Sequence, residues 1–138
     1  ILTAEDSSSS IRVFQQAMLA SKKLIRVITS ASISHDVLDH LTQNDLLIVC
    51  SATGNYAIAI DNEIRSLKTC KTLITLNHTA TLEDTYQEIY YLSSKDRYSC
   101  HTITSMRNIY TSYGMTYFFD LLYHAYFKKY HQEILSII

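Results

Sequence analysis

Hydroxyl side chains collect in two short stretches, each just ahead of a segment with helical spacing. One is Ser7-Ser8-Ser9-Ser10. The other is Ser51-Ala52-Thr53-Gly54-Asn55-Tyr56. A helix N-terminus presents unpaired N–H groups and partial positive charge, so it receives anions. Hydroxyls add donors there without adding charge. Gly54, the only glycine in the first hundred residues, permits a tight turn and close backbone approach. Two such loops on neighbouring strands would converge on a phosphate, with room beside it for a polar body such as a sugar. The chemistry is that of binding, with donors from Ser7, Ser8, Ser51, Thr53 and the amides around Ala52 and Gly54. Serines ahead of a helix also serve simply as N-caps, and for the first stretch that reading competes directly.

Other reactive residues form no recognisable constellation. The six histidines include no pair at i, i+4 and no H-E-x-x-H, so no metal is expected. His78, with Asn77 before it, follows the fourth expected strand at the ligand edge. Glu63, Glu83 and His78 are the candidates for moving protons, but no spacing singles out a pair. Cys50, Cys70 and Cys100 are odd in number and contain no C-x-x-C. That argues against a disulfide framework or zinc ribbon and fits a reducing cytoplasm. There is no nucleophile elbow, Walker A loop or dinucleotide fingerprint, and no cofactor is expected.

The elements that must position these loops are legible as short apolar runs alternating with helical patterns. Strands are expected at 1–2, 24–28, 46–49, 73–76 and 89–92. Helices are expected at 11–23, 33–41, 57–67 and 82–88, and from about Thr102 onward with a break near Gly114. The run Leu46-Leu47-Ile48-Val49 lacks alternation, as a strand covered on both faces should. The βαβαβ order implies an α/β three-layer sandwich, a parallel sheet of about five strands flanked by helices, with right-handed crossovers. Ligands of such folds bind outside the carboxyl ends of the strands, where the loops 3–10 and 51–56 lie.

Composition bounds the partners. The chain has 138 residues, 47% of them hydrophobic, and a net charge of −1 from 12 basic and 13 acidic side chains. That is one domain, residues 1–138, with a sizeable core. It lacks the clustered positive surface of a nucleic-acid binder. No apolar run reaches the length of a membrane span. Seven of the eleven tyrosines lie from Tyr98 onward. Tyr110, Tyr113 and Tyr117, then Tyr123, Tyr126 and Tyr130, recur at helical spacing. They suit either core packing or a subunit interface. The opening Ile1-Leu2, with no initiator Met, reads as a fragment that begins mid-strand.

The stretch "SATGNY" after an apolar strand resembles the S-x-S-G-x-T signature of the sugar isomerase (SIS) domain. The C-terminal "RNIYTSYGMTYFFDLLYHAYFKKY" resembles the last helix of that domain in RpiR/MurR-type bacterial transcription regulators, with Asp120-Leu121-Leu122-Tyr123 standing for the family's Asp-x-Leu-Tyr. The resemblance spans nearly the whole chain and implies a flavodoxin-like fold. Ser51 matches the first Ser of the signature, Thr53 the second and Gly54 the glycine. Tyr56 stands where the family has Ser or Thr, which puts a bulky ring at the phosphate position. In the first loop, Ser7 matches the serine of G-x-G-x-S, while Thr3 and Glu5 replace its glycines. The resemblance implies a cytoplasmic, non-enzymatic, effector-sensing domain. It would bind a phosphosugar or related carbohydrate derivative through Ser7, Ser8, Ser51, Ala52, Thr53, Gly54 and Tyr56. It would form a homo-dimer or tetramer, and touch DNA only through an absent N-terminal helix-turn-helix domain. A sugar-phosphate isomerase and a degenerate domain that only dimerises are the alternatives. Glu5 and Asp6 bear on the choice. A carboxylate about 4 Å from a phosphate costs about 4 kcal/mol at an effective dielectric of 20, and much less if it faces solvent.

Overall fold

The computed structural model describes residues 1–4, 8–29, 35–77, 80–92 and 104–130. The side chains of 8, 35, 80 and 104–112 lie outside that description. Five strands, β1 (Leu2–Thr3), β2 (Ile28–Thr29), β3 (Leu46–Cys50), β4 (Cys70–Thr75) and β5 (Glu88–Tyr91), form one sheet. Its order is β2-β1-β3-β4-β5, and every pairing is parallel. Four helices accompany it: α1 (Ser8–Ala20), α2 (His35–Asp39), α3 (Asn55–Ile64) and α4 (Thr104–Tyr130). This is the doubly wound strand order whose direction reverses between β1 and β3.

The central strand β3 reads as an unbroken apolar run because each of its faces meets helices. Leu47, Val49 and Leu73 pack with Leu38 of α2 and with Ala57, Ile60 and Ile64 of α3. Ile48, Cys50 and Ile74, alternating with them, pack with Ile11, Phe14 and Met18 of α1 and with Met115 and Phe119 of α4. In the second layer the rings of Phe14 and Phe119 lie 4.9 Å apart. Phe119 is fully buried, and its truncation to Ala would cost about 3–5 kcal/mol. Among the described residues no helix is long and apolar enough to cross a membrane.

Three expectations are corrected. Helix α4 runs without interruption through Gly114. A Cβ there would stand 3.3 Å from the Leu92 side chain, so the glycine marks a close approach to the end of β5 rather than a break. The strand expected at 24–28 pairs only at Ile28 and Thr29. Lys22 takes a positive φ of 62° as α1 ends, and β1 offers only Leu2 and Thr3 as ladder partners, which leaves Leu24 exposed. The helix expected at 82–88 is a single 3-10 turn, Ala80–Leu82. Beyond it the chain is drawn to the sheet, because Gln87 exchanges hydrogen bonds with the Lys71 backbone through its own N–H (3.0 Å) and its side-chain oxygen (2.6 Å).

Candidate ligand site at the β3–α3 loop

The loop 51–54 leaves the carboxyl end of β3, at the switch point beside β1. Ser51 is buried. Its Oγ accepts the N–H of Ala57 at 3.1 Å and so caps α3 from three residues before the formal N-cap, Gly54. The Gly54 N–H donates to the Ser51 carbonyl at 3.2 Å, and Gly54 holds a left-handed φ of 84°. Thr53 is exposed, and its Oγ1 accepts the Asn55 N–H at 3.3 Å, which leaves the hydroxyl proton to donate. Among the described residues the N–H groups of Ala52, Thr53 and Tyr56 take no hydrogen-bond partner. The loop thus gathers three open amides and one exposed hydroxyl at a helix N-terminus, with no described lysine or arginine in it.

The end of β4 holds this loop from behind. The Ser51 N–H donates to the Ile74 carbonyl at 3.0 Å. The Ala52 carbonyl accepts from the Leu76 N–H at 3.0 Å and from the Thr75 hydroxyl at 3.3 Å. The Asn77 side-chain amide donates to the Thr53 carbonyl at 2.8 Å. Asn77 also covers Gly54, where any Cβ would meet its Nδ2 at 2.8 Å.

The remaining site residues fall differently. Ser7, Glu5, Asp6 and His78 lie outside the described residues. Ser8 opens α1 rather than preceding it, so Ser8, Ser9 and Ser10 belong to the helix's own first turn. Ser10 turns to α4, its Oγ 3.1 Å from Thr116 Oγ1. Thr3 sits inside β1, buried, its hydroxyl donating to the Ala4 carbonyl at 2.9 Å. Tyr56 packs its ring against the core between the sheet and α3, so only its backbone faces the loop. Burial, then Glu63 and Cys50, push its phenol up to about 12. Burial pushes the Cys50 thiol up to about 12 as well, which removes it as a nucleophile near neutrality. Asp61 ties α3 to the chain before β5. Burial raises its pKa, but hydrogen bonds from Thr85 and Arg65 and the Arg65 charge outweigh that and leave it lowered. Among the described residues no group of three His, Cys, Asp or Glu could hold a metal ion. Sequence reasoning passed over Thr75. The signal available was the Thr-Leu-Asn that follows Leu73-Ile74 at the strand end beside the hydroxyl loop.

No family model matches the chain, and no curated protein matches it in sequence. Solved structures do. One, described only as a hypothetical protein, superposes with a TM-score of 0.68 at 15% identity, over 94% of this chain and 70% of its own. Another, from Listeria monocytogenes, is described as a "putative sugar-phosphate isomerase". It superposes with a TM-score of 0.64 at 13% identity, over 99% of this chain and 73% of its own. The fold is of the sugar isomerase (SIS) type. In this SIS-type fold the chain's hydroxyl loop leaves the carboxyl end of β3 at the switch point, and at these identities the likeness carries the architecture alone.

Proposed function

We propose that the chain is a sugar-binding SIS-type module, the effector-sensing domain of an RpiR/MurR-like transcription regulator of sugar metabolism. A phosphorylated sugar or related carbohydrate derivative would bind with its anion at the β3–α3 loop. The observation that carries this reading is the set of open amides at Ala52, Thr53 and Tyr56 beside the exposed Thr53 hydroxyl, at the start of a ten-residue helix. Charge-assisted hydrogen bonds contribute about 1.5–3 kcal/mol each. Three or four of them support micromolar binding, about −8 kcal/mol. In this reading the chain acts as a homo-dimer or tetramer, paired through α1 and α4. Ligand binding would shift the balance between two dimer arrangements, and DNA would be met only through a further domain.

A thermal-shift screen against sugar phosphates, amino-sugar phosphates and plain sugars tests it. A ligand at a hundred times its Kd adds about 2.7 kcal/mol, which raises Tm by about 8 °C for a domain of this size. Thr53→Ala is expected to weaken the hit at least about tenfold in calorimetry, at a stability cost below about 1 kcal/mol. A flat panel, or unchanged affinity in Thr53→Ala, refutes the assigned site.

The second reading is an isomerase, favoured by the description of the Listeria neighbour. Against it stands the placement of the described proton-transfer candidates. Glu63 is exposed and lies eight residues along α3 from Asn55, about 12 Å of helix. Glu83 is also exposed, beyond the 3-10 turn. Interconversion of an aldose and a ketose phosphate, followed by NMR with the purified protein, would establish the isomerase instead.

A further inference from the structure

We propose that Thr75 and Asn77, at the end of β4, are positioning residues that aim the backbone of the ligand loop into the switch-point crevice. The inference rests on the ligand reading given above. It follows from the planes of successive peptides. In a trans peptide the carbonyl and the next residue's N–H point in opposite directions, and every peptide described here is trans. The Cys50 carbonyl turns toward β1, where it meets the Ala4 N–H at 3.5 Å, and accordingly the Ser51 N–H turns toward β4. One peptide later but one, the direction is reversed. The Ala52 carbonyl is drawn toward β4 by the Leu76 N–H and the Thr75 hydroxyl. The Thr53 N–H, in the same plane, therefore faces away from β4, on the β1 side of the switch point.

Asn77 fixes the following peptide. Its side chain holds the Thr53 carbonyl, which leaves the Gly54 N–H to close its turn onto Ser51. Its backbone N–H donates to Thr75 Oγ1 at 3.0 Å, so the two residues form one clamp. Asn77 also occupies the space over Gly54, the one place where a side chain would otherwise fill the turn. A loop whose carbonyls are already engaged meets an anion with amides alone and reorganises little on binding, which is how preorganisation improves affinity.

The test compares wild type, Asn77→Ala and Asn77→Asp, the last keeping the size while losing the donor. Amide hydrogen exchange by NMR is read on the free proteins. Exchange at Gly54 and Ala57 is expected to rise at least about tenfold in both variants, while Ile60 and Leu73 keep their protection. A residue that merely stabilised the fold would raise all four together. Inorganic phosphate is then titrated into wild type and Asn77→Ala, with the Thr53 and Tyr56 amide shifts as the readout. The apparent Kd is expected to rise about tenfold in the variant. Unchanged exchange at Gly54 and Ala57, or unchanged phosphate affinity beside a wild type that binds, overturns the inference. A wild type that shows no phosphate shifts refutes the ligand reading instead, and the exchange at Gly54 still decides whether Asn77 holds the loop.

Discussion

Tyr56 carries a hydroxyl that the core does not use. Its oxygen and that of Tyr86 are both buried without a hydrogen-bond partner among the described residues, and both rings belong to the cluster between the sheet and α3. A buried hydroxyl left unpaired forfeits its hydration, so replacing it by hydrogen is close to neutral or stabilising, by up to about 1 kcal/mol. Tyr56→Phe and Tyr86→Phe should therefore each hold or raise the urea midpoint. Both phenols also make stability depend on alkaline pH. Burial raises Tyr56 to about 12 from 10.0, and burial together with Asp61 raises Tyr86 further. A folded-state pKa above the unfolded one means that the folded chain keeps the proton longer. The contribution is complete below pH 10 and is lost as pH climbs through the folded value. Wild type should lose stability between about pH 10 and 12, and the double Phe variant should lose distinctly less in the same denaturation series. An equal alkaline slope in both proteins would show that these two rings are not the cause. Sequence alone marked Tyr56 as a departure from a small hydroxyl residue and expected its ring at the phosphate. It could not show that the first turn of α3 directs that ring inward, because the direction depends on where Gly54 ends the loop.

At the scale of elements, the glycine of α4 illustrates what pattern reading captures and what it misses. Helical spacing announced a helix from about Thr102, and the helix is there from Thr104. Gly114 suggested a break because glycine is the weakest helix former after proline. The structure uses it for proximity instead, with Leu92 side-chain atoms 3.3–3.6 Å from where its Cβ would be. That contact joins residues far apart in the chain, so no local pattern could announce it. Gly114→Val adds volume into this gap as well as a β-branched residue, and should destabilise by about 1–3 kcal/mol. Gly114→Ala sets about 1 kcal/mol of regained helix propensity against a contact in which Leu92 must give by a few tenths of an ångström, and should stay within about 1 kcal/mol of wild type. Urea midpoints of the two variants check this. Equal, small effects would mean that Leu92 yields freely and that the approach is not tight. The strands follow the same logic. β3 was legible because an unbroken apolar run has few other uses, and β4 was legible from Leu73 but not at its start, where Lys71 and Thr72 break the apolar pattern. β2 was not, because an edge strand extends only as far as its partner. For the ligand loop, the residue types were legible and the orientation was not. The sequence shows Ser51, Thr53 and Gly54 together, while the direction of each peptide is set by Leu76, Thr75 and Asn77 across the sheet.

The whole molecule presents one face that three layers do not finish. α1 and α4 cover the sheet with Phe14, Met18, Met115 and Phe119, yet their outer sides carry further apolar groups. Tyr113, Tyr117 and Leu121 follow one another at i, i+4 and i+8 along α4, with exposures of 74%, 65% and 50%. On α1, Val13 is 68% exposed, at a shallow groove that also takes in Phe14, Ala17 and, from α4, Thr116, Phe119 and Asp120. Single exposed apolar residues need no explanation, but an aligned set rich in tyrosine is the composition of an interface core. Tyr123 and Tyr126 belong instead to the monomer, packed against the second core cluster, so among the described tyrosines of this helix these two take the core-packing role, while Tyr113 and Tyr117 stay exposed and are the ones that the proposed pairing would use. That division makes the pairing through α1 and α4 testable without disturbing the fold. Tyr117→Glu with Leu121→Glu replaces side chains that already face solvent in the single chain, so the monomer should keep its secondary structure and lose little stability. Light scattering behind size exclusion should find wild type as a dimer or larger and the double variant as a monomer, because two carboxylates per copy would meet their like across a symmetric contact. A wild type that is monomeric at tens of micromolar would remove the pairing from the proposal. It would also leave a ligand at the β3–α3 loop with no second copy to rearrange, and so would weaken the regulator reading far more than the binding reading. An intact dimer in the double variant would move the contact to another face.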